Sequence, residues 1–190
     1  MATIRETSTS ALLVIDVQNG AVEGAWNREK VIANVAAAVE RARAEGAPVI
    51  WVQHADEELV EGTEAWRYVP ELVAAPGEPF VHKNYNSAFE ETELEATLAR
   101  LGVSRVVLAG VATNWCVRAT AFGALDRGYD CTIISDAHTT STLEYQDGHR
   151  IEASDIVREF NTTMQWERYP GRTNAATPLA DVRFRALSAS

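Results

Sequence analysis

The chain has 190 residues, the length of about one domain, so we expect a single domain over residues 1–190 with a core that needs no disulfide or metal. Its 27 acidic and 17 basic side chains give a formal net charge of −10, which excludes nucleic acids and anionic membrane surfaces as partners because both repel an acidic surface. The two cysteines, Cys116 and Cys131, cannot form a disulfide framework and show no zinc-ligand spacing, so a functional cysteine here would act as a free thiol.

The N-terminal residues and the apolar runs predict where the protein works. The first residues show no basic stretch followed by an apolar one, so we expect no signal peptide and a cytoplasmic location. The longest apolar runs, Ala11–Ile15 and Val106–Ala109, are much shorter than a membrane span. We therefore expect no contact with a membrane.

Short apolar runs, typical of strands buried on both faces, alternate with amphipathic stretches in the first half of the chain. They predict strands at Ala11–Ile15 and Pro48–Val52. Between them, apolar residues recur every three or four positions over Val31–Glu45, which predicts a helix. Residues 54–79 contain three prolines and two glycines, and they predict an irregular segment that forms a lid or a pocket wall.

The second half continues the alternation. The predicted elements are, in order, a strand at Phe80–His82, a helix from Thr92 to Gly102 with Glu95 completing a capping box, a strand at Arg105–Ala109, a helix from Thr113 or Asn114 to about Arg127, a strand at Cys131–Ile134, a polar loop over 139–150, a helix over 152–163 and a last strand over 163–169. The tail after Pro170 shows no clear periodicity.

This alternation predicts an α/β protein: a three-layer, Rossmann-like open parallel sheet of about six strands with helices on both faces. In such sheets ligands bind at the carboxyl ends of the strands. The candidates at that edge are Asp16, the residues after Val52, Lys83, the turn from Gly110 to Cys116, and Asp136 to His138.

Three of these side chains form a catalytic hypothesis. Taken singly, Asp16 is typical of a turn former, Lys83 of a surface charge and Cys116 of a small buried residue. Cys116, however, falls in the first turn of a predicted helix, where unpaired N–H groups and partial positive charge lower the pKa of a thiol. With a lysine nearby, we expect a thiolate at neutral pH.

The three residue types then have complementary roles. Cys116 is the expected nucleophile, and Asp16 takes the thiol proton and later gives it to a leaving group. Lys83 keeps Asp16 ionised and favours the thiolate by its charge. N–H groups at the helix start would stabilise an oxyanion.

Four segments support this hypothesis through their order in the chain: Leu12–Gln18, Lys83–Phe89, Gly110–Thr120 and Tyr129–Ala137. They resemble the isochorismatase-like cysteine hydrolase superfamily over roughly residues 10–163. That superfamily includes nicotinamidases, carbamoylsarcosine amidohydrolase-type enzymes, ureidoacrylate and biuret hydrolases, and streptothricin hydrolases.

The resemblance implies a catalytic triad of Asp16, Lys83 and Cys116. It also implies a cis peptide bond between Val111 and Ala112, and an oxyanion hole made by the N–H groups of Ala112 and Cys116. The implied reaction is hydrolysis of a C–N bond in a small amide, ureido or lactam compound through a thioester on Cys116, with no cofactor.

One departure concerns metal binding. Similar nicotinamidases hold a metal through an Asp-x-His pair after the second strand and a further histidine. Here the pair is reversed, His54-x-Asp56, and the next histidine is His82, beside Lys83. We therefore expect no metal, and His54 is then interpreted as a strand-end polar residue that bonds the loop.

Aromatic and polar side chains near the predicted edge suggest a substrate pocket. The candidates for stacking on a flat substrate are Trp26, Trp66 and Tyr85, and those for polar contacts are Gln18, Ser87 and His138. Core packing or subunit packing is the alternative for each aromatic residue, and most of all for Trp115. Cys131, within a predicted strand, is expected to be inert.

Two other functions stay open. Relatives that hydrolyse the vinyl ether of isochorismate manage without the cysteine nucleophile, so that reaction is one alternative. The other is an inactive relative that only binds a ligand, against which the intact set of Asp16, Lys83 and Cys116 weighs. Similar proteins are homodimers or homotetramers, and residues 54–79 are candidates for such an interface.

Overall fold

A computed structural model describes residues 9–185. The strands are β1 (Ser10–Ile15), β2 (Val49–His54), β3 (Phe80–Lys83), β4 (Arg105–Val111), β5 (Asp130–Thr139), the hairpin strands β6 (Leu143–Glu144) and β7 (Arg150–Ile151), and β8 (Asn174–Thr177). Six of them form one parallel sheet in the order β3-β2-β1-β4-β5-β8. The helices are α1 (Arg28–Ala44), α2 (Leu94–Arg100), α3 (Arg118–Asp126) and α4 (Ala153–Trp166); a π-helical turn, Thr113–Val117, leads into α3, and a short 3-10 turn, Leu179–Asp181, follows β8.

Helices cover both faces of the sheet, which gives three layers. Successive residues of a strand point to opposite faces. Accordingly, Leu12 and Val14 of β1 join the core under α1, whereas Leu13 and Ile15 join the core under α2, α3 and α4. The predicted three-layer parallel α/β fold is confirmed. In the described part of the chain, no helix is long and apolar enough to cross a membrane.

The predicted last strand over residues 163–169 is wrong. Helix α4 continues to Trp166, because Ile156, Phe160 and Met164 extend one apolar stripe that is buried against the sheet. The sixth strand is instead β8, in the tail after Pro170, and it pairs in parallel with β5. Its sequence, Asn-Ala-Ala-Thr, lies half-buried at the sheet edge and shows no hydrophobic alternation.

Other element boundaries move by a few residues. Strand β5 runs five residues beyond the predicted Ile134, and the predicted loop over 139–150 contains most of the β6–β7 hairpin. Helix α2 begins at Leu94 instead of Thr92, and the Thr92 hydroxyl accepts a hydrogen bond from the Leu94 N–H (3.2 Å).

Gly110 brings the turn after β4 against the end of β1. It pairs with Ile15 across the two strands and has φ = 135°, a conformation that favours glycine. A Cβ atom on Gly110 would lie only 2.0 Å from the carbonyl oxygen of Ile15. This close approach places the turn that carries Cys116 beside the residue that follows β1.

Candidate active site

Asp16, Lys83 and Cys116 meet at the carboxyl edge of the sheet. Asp16 follows β1, Lys83 ends β3 and Cys116 lies in the π-helical turn after β4. Lys83 Nζ is 2.8 Å from Asp16 Oδ2 and donates to Cys116 Sγ at 3.3 Å. Asp16 and Lys83 are 2% exposed and Cys116 8%, so this cluster is nearly closed to bulk water.

The backbone at Asp16 directs its carboxylate into this cluster. Asp16 has φ = 51°, a left-handed conformation that aspartate tolerates better than most residues. Its N–H donates to the carbonyl of Val52 (2.9 Å), and its own carbonyl accepts from the Gln18 N–H (2.7 Å). The chain therefore turns sharply as soon as β1 ends.

The electrostatics of Cys116 differ from the sequence-based expectation of a thiolate at neutral pH. Burial raises the pKa of the Cys116 thiol to about 12; the Asp16 carboxylate raises it too, and Lys83 opposes both. A second anion beside Asp16 in a buried site is unfavourable. The thiol is therefore protonated at rest. Burial also raises the pKa of Asp16, against the lowering effect of Lys83, which makes the carboxylate a stronger base.

His54 is a further contact of Lys83 that the sequence did not indicate. Lys83 Nζ lies 3.2 Å from His54 Nδ1, and His54 Nε2 lies 3.0 Å from Asp56 Oδ2. His54 thus contacts Lys83 as well as Asp56 in the following loop. Within residues 9–185, no group of three or more His, Cys, Asp or Glu side chains is arranged to hold a metal ion.

The turn after β4 contains the groups assigned to the oxyanion hole. The peptide bond between Val111 and Ala112 is cis, at the position implied by the resemblance. Cys116 lies four residues after Ala112, in the first turn of a helix, where N–H groups generally lack intrahelical partners. The oxyanion hole itself stays a prediction.

Gln18 makes structural contacts, and its predicted contact with substrate stays a prediction. Its side chain is fully buried, and its amide bonds both the N–H and the carbonyl of His54 (2.9 Å each). It also donates to the carbonyl of Trp66 (2.7 Å). Gln18 therefore joins the ends of β1 and β2 to the 54–79 segment.

Trp66, Tyr85 and Ser87 have different environments. Trp66 is half-buried and stacks on His82, with 5.9 Å between ring centroids, and its indole N–H is buried without a hydrogen-bond partner in the described part of the chain. Tyr85 is 50% exposed just after Lys83. Ser87 accepts from the Phe89 N–H (3.3 Å) and lies under α3 near Gly123, which is a packing position.

Trp26 and His138 line a separate cavity of about 350 Å³, bounded by α1, α4 and the end of β5. His138 is buried, and its ring contacts Thr113 Oγ1 (2.8 Å) and Asn161 Oδ1 (3.0 Å). Burial lowers the pKa of His138 to about 4, so the ring is neutral. It connects β5 to the π-helical turn and to α4, and its contact with substrate stays a prediction.

Asn86 lies next to Cys116, although the sequence analysis assigned no role to Asn86. Its Oδ1 lies 3.9 Å from Cys116 Sγ. The available signal was its place three residues after Lys83, beyond the end of a strand. Cys131, by contrast, is 1% exposed within β5, and burial raises its pKa far above the ordinary value.

The fold and the site together define a parallel α/β protein with a buried thiol, ammonium and carboxylate at the carboxyl edge of its sheet. Comparison with protein-family models matches residues 10–167 to the Isochorismatase domain. The chain belongs to the isochorismatase family, which is hydrolytic. Among solved structures, an isochorismatase from Pseudomonas putida KT2440 is similar, with a TM-score of 0.83, 28% identity and coverage of 93% of this chain and 91% of that one.

Curated relatives indicate the range of functions in the family. A streptothricin hydrolase of Streptomyces noursei is 35% identical, covering 68% of this chain and 54% of its own. A ureidoacrylate amidohydrolase of Methylobacterium radiotolerans is 28% identical, covering 70% and 67%. A probable inactive nicotinamidase of Arabidopsis thaliana is 32% identical, covering 83% and 94%. The relatives thus include both hydrolases and a protein described as inactive.

Proposed function

We propose that this protein is a cysteine hydrolase that cleaves a C–N bond of a small amide, ureido or lactam compound. The observation that carries the proposal is the position of the Lys83 ammonium, which contacts both Asp16 (2.8 Å) and Cys116 (3.3 Å) in a buried site. A thiol, a base and a fixed cation within hydrogen-bond reach are the components of nucleophilic catalysis.

The first step couples deprotonation to attack. Because the Cys116 thiol is protonated at rest, Asp16 takes its proton as Sγ bonds to the carbonyl carbon of the substrate. Lys83 stabilises the negative charge that develops on sulfur. The carbonyl oxygen becomes an oxyanion, and the N–H groups of Ala112 and Cys116 are proposed to bind it.

Collapse of this intermediate breaks the C–N bond. Asp16 returns the proton to the leaving nitrogen, and a thioester remains on Cys116. From an amide or ureido compound, ammonia or an amine departs, whereas the amine of an opened lactam stays attached to the acyl group. A water molecule then gives a proton to Asp16 as it attacks the thioester carbon. The carboxylic or carbamic acid leaves, and the sulfur regains a proton from Asp16.

One relative supports the choice of bond, because the ureidoacrylate amidohydrolase is named for C–N hydrolysis of a ureido compound. The streptothricin hydrolase supports hydrolysis more generally, since its name does not state the bond. On the proposed function, the half-buried Trp66 with its unpaired indole N–H and the exposed Tyr85 are the candidates for contact with a flat substrate.

An ammonia-release screen tests the proposal. Purified protein is incubated with a panel of small amides, ureido compounds and lactams, with amine or acid detection for substrates that release no ammonia. We expect turnover of at least one compound, complete loss in Cys116→Ala and full retention in Cys131→Ala. A panel with no turnover, or one that Cys116→Ala still turns over, would contradict the proposal.

Two alternatives have their own outcomes when isochorismate is assayed beside this panel by following its consumption. Isochorismate hydrolysis that survives Cys116→Ala would favour vinyl-ether chemistry that uses Asp16 alone. The other alternative is an inactive, ligand-binding protein, for which no compound would be turned over; one relative is described as a probable inactive nicotinamidase. The contact of Lys83 with Cys116 favours the thiol mechanism over both, because neither alternative needs it.

A further inference from the structure

Lys83 makes one contact outside the proposed triad, with the ring of His54 (3.2 Å). We infer that His54, held by Asp56, is a positioning residue that fixes the Lys83 ammonium toward Asp16 and Cys116. The catalytic meaning of this inference rests on the proposed function, whereas its structural content does not.

The hydrogen-bonding capacity of lysine determines the state of His54. An ammonium has three donors and no acceptor, so His54 Nδ1 must accept and carries no proton. The ring proton then lies on Nε2, which donates to Asp56 Oδ2 at 3.0 Å. Asp56 thus selects the ring tautomer.

Asp56 and His54 are both held in place by hydrogen bonds. Asp56 Oδ1 accepts from the N–H groups of Glu58 (2.9 Å) and Leu59 (2.7 Å), which leaves Oδ2 for His54. The backbone of His54 is bonded on both sides by the amide of the buried Gln18. The His54 side chain is only 13% exposed, so the ring has little freedom to move.

With His54 in place, the three donors of Lys83 have three acceptors: Asp16, Cys116 and His54. The Lys83 side chain is 0% exposed, so water does not replace a missing acceptor. Without the imidazole, one donor of a buried cation stays unsatisfied, which is costly. The ammonium would then be less firmly held against the sulfur and would stabilise its negative charge less well.

The ring tautomer is measured first, by NMR of the histidine nitrogens in the intact protein near neutral pH. We expect His54 Nε2 protonated and Nδ1 unprotonated. In Asp56→Asn, the amide oxygen stays with the loop N–H groups and the NH₂ faces His54 Nε2, so we expect the proton to move to Nδ1. A wild-type ring protonated on Nδ1, or on both nitrogens, overturns the inference.

The effect on the nucleophile is measured by alkylation of Cys116 with iodoacetamide, followed by peptide mass spectrometry. This readout needs no substrate. We expect a rate constant about tenfold lower in His54→Phe, because a hydrogen bond to a charged group is lost. His54→Asn, whose Oδ1 takes the place of Nδ1 as acceptor, restores most of the rate. Asp56→Asn lowers the rate like His54→Phe.

His149→Phe is the matched control, since His149 is exposed in the hairpin loop and has no contact with Lys83. It should alkylate at the wild-type rate. Alkylation of His54→Phe at that rate as well would overturn the inference. If His54→Phe does not fold, the wild-type ring tautomer and Asp56→Asn decide.

The two proposals fail in different ways. An ammonia-release screen without turnover, combined with the expected tautomer and alkylation rates, would refute the hydrolase but leave the positioning role in place. Turnover with unchanged kcat in His54→Phe would refute the positioning role but leave the hydrolase. If both hold, His54→Phe lowers kcat and leaves KM near its wild-type value, because His54 does not touch substrate.

Discussion

The surroundings of the Cys116 sulfur favour a protonated thiol over a permanent thiolate. Burial and the Asp16 carboxylate raise the pKa of the thiol to about 12, against the lowering effect of Lys83. On the proposed function, the protonated thiol is protected from oxidation and alkylation until Asp16 removes its proton. Asp16 would then both suppress the thiolate at rest and create it during attack.

Asp16→Asn should separate these two effects. Removing the negative charge lowers the pKa of Cys116, so the thiolate fraction at pH 8 rises and alkylation by iodoacetamide becomes about tenfold faster or more, because one pKa unit is tenfold at a pH below the pKa. Turnover should be abolished, because asparagine is no base. The buried Cys131 peptide is the internal reference, and slower alkylation of Cys116 would contradict the assignment.

At the scale of elements, the turn after β4 depends on its contact with β1. Gly110 holds φ = 135° with its Cα packed against the carbonyl of Ile15, and a Cβ there would meet that backbone oxygen at 2.0 Å. Backbone atoms of two central strands cannot move apart without disturbing the sheet. The geometry of the site thus depends on a residue with no side chain.

Gly110→Ala should lower the free energy of unfolding by about 3 kcal/mol or more, because overpacking and an unfavourable φ add together. Gly77→Ala is the control: its φ of 88° is also positive, but among the described residues, its two chain neighbours aside, no atom lies within 4 Å of the new Cβ, so we expect a cost of only about 1 kcal/mol. Urea denaturation measures both. Equal losses in the two variants would show that the close approach is not what matters.

His138 connects three elements and should make stability depend on pH. Its pKa is about 4 in the folded protein, against an ordinary value of 6.5, so the unfolded chain binds more protons between these values. The stability it contributes is present above about pH 6.5 and is lost as the pH falls toward 4. The slope has an upper limit of about 1.4 kcal/mol per pH unit.

Replacing His138 by Gln should reduce that slope. The free energy of unfolding is measured in urea at several pH values from 7 to 4.5 for both proteins. Carboxylates titrate in both and cancel in the comparison. An unchanged slope would mean that His138 is not a buried neutral base in the folded protein.

For the molecule as a whole, the net charge disfavours one class of partner, whereas the exposed aromatic residues favour another. The net charge of −10 disfavours contact with polyanions, yet several aromatic side chains are exposed: Trp26, Tyr85, Trp115, Tyr145 and Trp166. Single exposed apolar residues are ordinary, but exposed tryptophans are enriched at protein interfaces. Trp166 is the most exposed of this group, at 75%.

We therefore predict that the protein is a homodimer or homotetramer in solution. Light scattering coupled to size-exclusion chromatography should give two or four times the chain mass of 20.8 kDa. Trp166→Glu, which places a charge at the exposed tryptophan that ends α4, tests whether that helix end lies in the interface. A wild-type mass of one chain would contradict the prediction.

The sequence was sufficient for those features that depend on local pattern. Five of the six strands of the sheet and the four helices follow from apolar runs and helical periodicity, and the parallel arrangement follows from their alternation. Chain direction then places Asp16, Lys83 and the turn to Cys116 at one edge. Strand β8 was not predicted, because a short, half-buried edge strand has no distinctive sequence pattern.

The contacts of each side chain at that edge could not be predicted from the sequence, because they depend on how distant segments pack together. His54 and Lys83 are 29 residues apart, and their contact depends on the pairing of β2 with β3. The burial that raises the pKa of Cys116, and the networks that give Gln18 and His138 structural roles, also arise from packing between distant segments. Residue type and spacing determine which groups reach an edge, whereas burial and side-chain direction, which set their protonation and their partners, exist only once the whole sheet is assembled.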